Sequence, residues 1–492
     1  MATLKKLFKQ TFIYGLATVL PRLLSFILVP LYTSDGVLSS VAEYGKLNII
    51  FSYFIFFNVI LAYGMETAFF RFFHKEKNKN TVTSTASISL LISSLLFLII
   101  GFLLQHKIAQ VTGLNIEYIK YILAILFLDA IVIIPFAWLR AMQKPLKYSF
   151  IKITNVAINL GLNVFFLVGL KKIAESFTFA ENLYIPNFEI NYILISQVIS
   201  SVSSLILLGK FYTKLNFRFD KDLWKKMMKY AFPVLIAGIA YSINEAFDRL
   251  LLDYLLPKNI AETTIGMYAA CYKIAVFMTL FVTGFKLGVE PFFFSQAEQK
   301  NKEKNYATIL EIFVMLGALM FLGIVVFTDI LKLYIIRSEA YRQALWIVPF
   351  ITLANLCLGI YHNLSVWYKV TDKTKIGAYI SILGAIVTLA LNFWLIPIIS
   401  YKGAAIATLA AYASMMLISY LLGKKYYPIP YNIKKIGLYL GLSSAFAFTY
   451  FFLFRENYYV GILFILLLSG TMIALEKNQL ISIYNSLKNR KR

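Results

Sequence analysis

The sequence predicts an all-α integral membrane protein: two parallel six-helix lobes, related by a pseudo-two-fold along the membrane normal, followed by two more helices. Three observations carry this. Sixty per cent of the 492 residues are hydrophobic and mean hydropathy is +0.72, more apolar surface than an aqueous core can hide. Apolar runs of bilayer length recur along the chain, separated by loops alternately rich and poor in Lys and Arg. Landmarks of the first half also return, in the same order, in the second.

A helix needs about 20 apolar residues to cross a bilayer, and fourteen such runs are predicted. They cover 12–32, 44–70, 83–104, 118–139, 150–170, 190–209, 231–255, 266–292, 307–328, 343–366, 377–398, 403–423, 434–454 and 457–475. Lys5, Lys6 and Lys9 precede the first run, which carries Arg22 and no small-residue cleavage site. It therefore reads as a retained span rather than a leader. The connections are too short for a folded soluble domain.

Loop charge gives the orientation. Both ends and every second connection carry most of the 48 basic residues, for example Arg71, Lys75, Lys77 and Lys79, then Arg140, Lys144, Lys147 and Lys152, then Lys210, Lys214 and Arg218. The remaining connections are sparse in Lys and Arg. By the positive-inside rule the rich set and both termini face the cytoplasm. The net charge of +24 is thereby accounted for without nucleic acid. Cys271 and Cys357 fall within apolar runs, so no disulfide framework is implied.

The internal repeat pairs Glu43-Tyr44-Gly45 with Thr264-Ile265-Gly266, and the run from Gly64 to Phe70 with that from Gly288 to Phe294. Trp138, Lys144, Ile151, Leu160 and Asn163 recur at constant spacing as Trp367, Lys373, Ile380, Leu389 and Asn392, and Leu207 to Lys210 recurs as Leu421 to Lys424. Proline is present in each of the matching spans one and seven, at Pro21 and Pro233, and Arg-Leu-Leu stands in both, at 22–24 and 249–251. An even number of spans per copy makes the repeat parallel. The expected segments are 1–216 (spans one to six), 217–427 (seven to twelve) and 428–492 (two extra helices and a basic cytoplasmic tail).

Charged residues inside spans are costly and mark pathways or pairs. The bases counted within spans are Arg22, Arg249, Lys273 and Lys286; the acids counted as clear are Glu66, Asp129, Glu245, Asp248 and Glu290. Arg22 has no acid at helical spacing, and Asp129 at similar depth is its structural alternative. Arg249 follows Glu245 by four residues, the favourable order for a helical ion pair, and adjoins Asp248. Lys273 has no acid three or four residues away. Lys286 and Glu290, four apart near the cytoplasmic end of span eight, read as a mutual pair or gate. Asn155, Asn159 and Asn163 form a polar stripe, open to interhelical hydrogen bonding or to sugar contact. His74, His106 and His362 lack metal-ligand companions, so no metal is assigned.

Tyr14-Gly15, Pro21-Arg22, Pro30-Leu31-Tyr32-Thr33, Glu43-Tyr44-Gly45, Gly64-Met65-Glu66 and Phe70-Arg71-Phe72 together resemble the opening of a polysaccharide-exporter flippase. That family belongs to the multidrug/oligosaccharidyl-lipid/polysaccharide (MOP) exporter superfamily. Asp248-Arg249 and the run Gly403 to Thr408 are similar to its patterns too, and fourteen spans suit this branch better than the twelve of the multidrug branch. The resemblance implies a cell (inner) membrane flippase that turns a polyprenyl-diphosphate-linked oligosaccharide from the cytoplasmic to the outer leaflet for surface polysaccharide (O-antigen, capsule or lipopolysaccharide) synthesis. It implies no catalytic residue and no bound cofactor, with H+ or Na+ coupling and other polysaccharide-assembly membrane proteins as partners.

Under that reading Arg22, Arg249 and Lys273 are the candidates for the substrate diphosphate, because a guanidinium stays charged and binds phosphate oxygens in pairs. Glu66, Asp129, Glu245 and Asp248 are candidates for a coupling ion or for neutralising ion pairs, and Lys286 with Glu290 for a gate. A cation-coupled multidrug exporter of the same superfamily is the alternative, and a membrane glycan polymerase or glycosyltransferase a third reading. The last would need a large exterior loop or clustered acids at the membrane face, and the sequence has neither.

Overall fold

The computed structural model describes residues 26–176, 184–295, 301–371 and 373–490, without the side chains of 290–295 and 477–490. Among the described residues there are helices and no strands, as expected where backbone polar groups must be satisfied within the segment.

Residues 26–32 form the end of α1, and the remainder of the expected first span lies outside the described residues. Thirteen further helices are long and apolar enough to cross a membrane. They are α2 (Val41–Lys75), α3 (Lys79–Leu103), α4 (Ile116–Ala141), α5 (Pro145–Ser176), α6 (Glu189–Tyr212), α7 (Lys221–Leu255) and α8 (Lys258–Val289, the helix running to Ser295). They continue with α9 (Lys302–Val326), α10 (Glu339–Val370), α11 (Thr374–Ile399), α12 (Tyr401–Tyr426), α13 (Ile433–Leu453) and α14 (Tyr458–Glu476, its backbone running to Arg490). Each overlies one of the expected spans two to fourteen.

Several helices start before their apolar run. Asp220 caps α7, its carboxylate accepting the N–H groups of Asp222 (3.1 Å) and Leu223 (2.9 Å), so a basic amphipathic entry precedes the apolar part. Hydropathy alone does not see such a start. Within α2 the chain breaks at Tyr63 (φ 31°) and Gly64 (φ 72°). Gly64 is required there twice over: by its left-handed backbone, and because a Cβ would lie 2.5 Å from the Ala231 carbonyl oxygen of α7.

Two compact units emerge from packing. The first comprises Met1–Ala270, Ile336–Gln343 and Ser381–Ala404. In it α2 packs on α7 and α4, α6 on α5 and α4, and α3 on α4. Its cores are formed by Met65, Phe69, Phe73, Val82 and Met227 around α2, α3 and α7, and by Ile50, Leu123, Leu126 and Leu194 around α2, α4 and α6. The second comprises Cys271–Ile335, Ala344–Ile380 and Ala405–Arg492. There α9 packs on α13, α10 and α14, and Leu358, Trp367, Tyr368, Tyr412 and Met415 form a core of α10 and α12. These units follow packing, whereas the segments 1–216, 217–427 and 428–492 follow the repeat. Hence α7, which opens the second copy, lies in the first unit.

The repeat appears as a reciprocal contact within that first unit. A Cβ on Gly45 of α2 would collide with the Glu262 carbonyl oxygen of α8, and one on Gly266 of α8 with the Val41 carbonyl oxygen of α2. The two helices cross so that each glycine receives the other's main chain, as a two-fold relation demands. Lys46 bridges the crossing, 3.5 Å from Glu262 and 3.2 Å from Glu43.

The second unit ties its last helices to α9 at both ends. Beyond α9, Asp329 accepts two hydrogen bonds from Arg455 (2.8 and 2.9 Å), which stands in the turn between α13 and α14. Burial alone would push the Asp329 carboxyl up. The hydrogen bonds and charges of Arg455 and Lys332 outweigh it and hold the carboxyl below its ordinary range. At the other end Lys435 of α13 stands between Glu311 of α9 (3.4 Å) and Glu476 of α14, and Tyr439 donates to Glu476 (2.9 Å).

Candidate functional site

Two groups of buried polar residues run through the first unit. One lies on α7, α8 and α11. The Asp248 carboxylate accepts the Arg249 main-chain N–H (2.8 Å), an Arg249 guanidinium N–H (3.2 Å) and the Tyr268 hydroxyl (2.6 Å). Arg249 also donates to the Glu245 main-chain carbonyl (3.2 Å). Asp248 is 5% exposed and Arg249 9%, so charge is held inside the bundle in a hydrogen-bonded pair. The expected Glu245–Arg249 spacing does bring the two residues together, through the Glu245 main-chain carbonyl. The neighbouring Asp248 adds a carboxylate at hydrogen-bond distance. One turn earlier, Asn244 donates to the Ser381 carbonyl (3.2 Å) and accepts from Thr388 (2.7 Å) on α11.

The other group joins α1, α4, α5 and α6. Tyr32 donates to the Asn163 amide oxygen (2.8 Å), and the Asn163 amide donates to the Asn159 carbonyl (2.8 Å). Asn159 donates to Gln197 (2.9 Å), and Asn155 to the Ser200 carbonyl (2.7 Å) and Ser204 (3.0 Å). The asparagine stripe is thus an interhelical hydrogen-bond seam. Its equivalent in the second copy repeats one link: Asn392 donates to the Thr388 carbonyl (2.7 Å).

Asp129 on α4 accepts from Ser201 (2.9 Å). Its electrostatic partner is Lys152, whose ammonium stands 4.2 Å from the Phe136 ring centroid. Counted by sequence, Lys152 belonged to a cytoplasmic loop. It stands instead well inside α5, where a long aliphatic stem lets the charge reach an acid. Glu66 on α2 pairs with Arg140 at the end of α4, and the Arg140 guanidinium also lies over the Phe70 ring (4.8 Å). The ion-pair alternative for Glu66 is therefore realised.

Arg22 lies outside the described residues, as does the Glu290 side chain, so neither the Arg22–Asp129 nor the Lys286–Glu290 pairing can be placed. Lys273 and Lys286 are half-buried on α8, and Lys286 shares its electrostatic surroundings with His362 and Lys369 of α10. Sequence reading missed Glu311, although it falls within the expected span 307–328. It also missed Tyr268, whose hydroxyl closes the Asp248 pair and has no motif to announce it. Among the described residues no three His, Cys, Asp or Glu side chains gather as a metal site.

No curated protein matches the chain. Among solved structures it is similar to the lipid II flippase MurJ in an inward closed conformation, at 17% identity over 94% of this chain and 99% of that one, with a TM-score of 0.71. It is also similar to a multidrug resistance MATE family transporter of the MOP superfamily in an inward-facing conformation (13% identity, 87% and 95% covered, TM-score 0.63). A MOP superfamily transporter from Pyrococcus furiosus matches at 12% identity, 85% and 95% covered, TM-score 0.58. These likenesses show that the chain has the fold these three structures share. A MatE family model matches residues 233–394, and the model described as Polysaccharide biosynthesis protein matches residues 7–289, more than half of the chain. The chain therefore belongs to the polysaccharide biosynthesis protein family.

Proposed function

We propose that this protein is a flippase for a lipid-linked oligosaccharide, carried on a polyprenyl diphosphate and moved from the cytoplasmic to the outer leaflet by alternating access. The observation that carries the reading is the amide and hydroxyl seam of α1, α5 and α6, set inside an otherwise apolar bundle. A diphosphate and a sugar lose many kcal/mol of hydration in hydrocarbon, and the seam replaces it by exchanging its interhelical hydrogen bonds for bonds to the sugar while the lipid tail stays in the bilayer. Arg22, Arg249 and Lys273 supply the charge for the diphosphate. Arg249 rests on Asp248 and Tyr268, and exchanges part of that set for phosphate oxygens.

Glu66, Asp129, Glu245 and Asp248 are the carboxylates from which a coupling H+ or Na+ would be drawn. Asp129 stands against Lys152 of α5 and Ser201 of α6. Lys286 and Glu290 remain the gate. Both termini face the cytoplasm of the inner membrane, and no covalent change to the glycan occurs. The likeness to MurJ, a lipid II flippase, over nearly the whole chain supports this reading over a cation-coupled drug exporter. The test uses proteoliposomes holding a fluorescent lipid-linked oligosaccharide and, separately, a cationic dye. Oligosaccharide reaching the opposite leaflet supports the flippase; dye transport with no lipid movement overturns it, and a covalently altered glycan makes the protein an enzyme.

A further inference from the structure

The cytoplasmic ends of α3 to α6 enclose a cavity of about 320 Å³ within the first unit. By the share of about 30 Å³ that a water takes in the liquid, it has room for roughly ten waters. Four lysines line it, Lys144 and Lys147 from the start of α5 and Lys210 and Lys214 from the end of α6 and just beyond, and no carboxylate does. None of the four has an acid within ion-pair distance among the described residues. Asn80 and the first turn of α3 also face the cavity, adding the positive end of a helix. An enclosure of this kind selects a compact anion.

A second space adjoins it. Leu215 lines both, and from it a groove of about 170 Å³ runs between α3, α4 and α6, walled by Leu91, Ile131, Leu205 and Phe217. Ser87 faces the groove, 7% exposed, and its hydroxyl finds no hydrogen-bond partner among the described residues. Around the two spaces Leu146, Phe150, Ile206 and Phe217 are 62–72% exposed. These are surfaces suited to lipid and not to water. A basic head pocket opening into an apolar slot, on the face that the positive-inside rule puts in the cytoplasmic leaflet, matches one chemistry.

We infer that this pair of spaces binds an anionic phospholipid, the phosphate among Lys144, Lys147, Lys210 and Lys214 and an acyl chain along Leu91, Leu205 and Leu215. The site stands apart from the polar seam and from Arg249, and does not rest on the proposed transport activity.

The full-length protein in detergent is titrated with dioleoyl phosphatidylglycerol, dioleoyl phosphatidylcholine, glycerol phosphate and inorganic phosphate, and binding is read by native mass spectrometry. Phosphatidylglycerol is expected to bind at least ~10-fold tighter than phosphatidylcholine. The Lys144→Gln/Lys210→Gln pair should weaken it roughly 30-fold, at about 1 kcal/mol per lysine and about 1.4 kcal/mol per tenfold. Leu205→Trp, which fills the groove, should weaken phosphatidylglycerol and leave glycerol phosphate unchanged. Equal binding of the two lipids overturns the proposal. So does a preference for phosphatidylglycerol that survives both variants, since the lipid then sits elsewhere. Inorganic phosphate binding as tightly as phosphatidylglycerol makes this a free-anion site and overturns it too. The lysines are exposed and Leu205 lies on a groove wall, so one variant still decides the matter if the other fails to fold.

Discussion

The turn from Trp138 to Lys144 and its repeat from Trp367 to Lys373 share a backbone and differ in what surrounds it. In the first, the Lys144 N–H reaches the Leu139 carbonyl (2.9 Å) and the Met142 N–H the Trp138 carbonyl (2.8 Å). In the second, Lys373 reaches Tyr368 (2.8 Å) and Thr371 reaches Trp367 (3.2 Å). Trp138 is half-buried beside the basic cavity, with the Lys144 ammonium 4.8 Å from its ring centroid. Trp367 is 1% exposed, stacks on Tyr426 and belongs to an aromatic core. Where the first copy has Lys147 and Lys214, the second has Ile376 and Pro428. One frame therefore serves two ends: an open basic chamber in one copy and a packed core in the other.

The strongest test of that contrast is the paired tryptophan substitution. Trp367→Ala should cost about 3–5 kcal/mol, as for large buried aromatics. Trp138→Ala should cost less, roughly 1–2 kcal/mol. Thermal unfolding in one detergent reads both, and equal losses would erase the distinction.

The next effect lies elsewhere in the second unit, at Asp329. Its carboxyl is held below the ordinary range. The stability it contributes is therefore full above about pH 5 and lost as pH falls through and below the usual Asp value of about 3.9. Asp329→Asn should cost about 1.5–3 kcal/mol at pH 7, the range for hydrogen bonds to charged groups, and flatten the loss of thermal stability on acidification. An unchanged acid profile in that variant would place the sensitivity at another group.

Gly45→Ala and Gly266→Ala sharpen the comparison from the other side, because here the two copies make the same contact. Each should cost roughly 1–3 kcal/mol through overpacking against main chain that a side-chain rotation cannot relieve. Losses differing severalfold would show that the crossing is not reciprocal. The smallest effect is expected at the chamber itself: Lys144→Gln should change stability by less than about 0.5 kcal/mol, as exposed substitutions do, measured by the same unfolding assay.

Helix number and order were legible because hydropathy and loop charge report the same boundary twice. What escaped was set by three-dimensional reach. Lys152 follows a cluster of loop lysines and looks like one of them, yet the helix has turned inward by that point and its stem reaches toward Asp129. Arg249 was open to Glu245 or Asp248 by spacing, and the contact to the Asp248 carboxylate, an adjacent residue, needed the side-chain geometry to be seen. Glu311 went unnoticed since its partners Lys435 and Glu476 lie far along the chain. The asparagine stripe was visible from its spacing; Gln197, Ser200 and Ser204, which it meets, also stand at helical spacing (i, i+3, i+7), a signal that does not name the partner helix.

Because Asp329 grips Arg455 while Glu311 grips Lys435, the final hairpin is riveted to its neighbour top and bottom and behaves as an outrigger. A shortened chain ending before residue 428 would strip Glu311 of its counter-charge and leave a bare acid beside lipid. The hairpin and the ninth helix are thus one body, fastened by charge at each end.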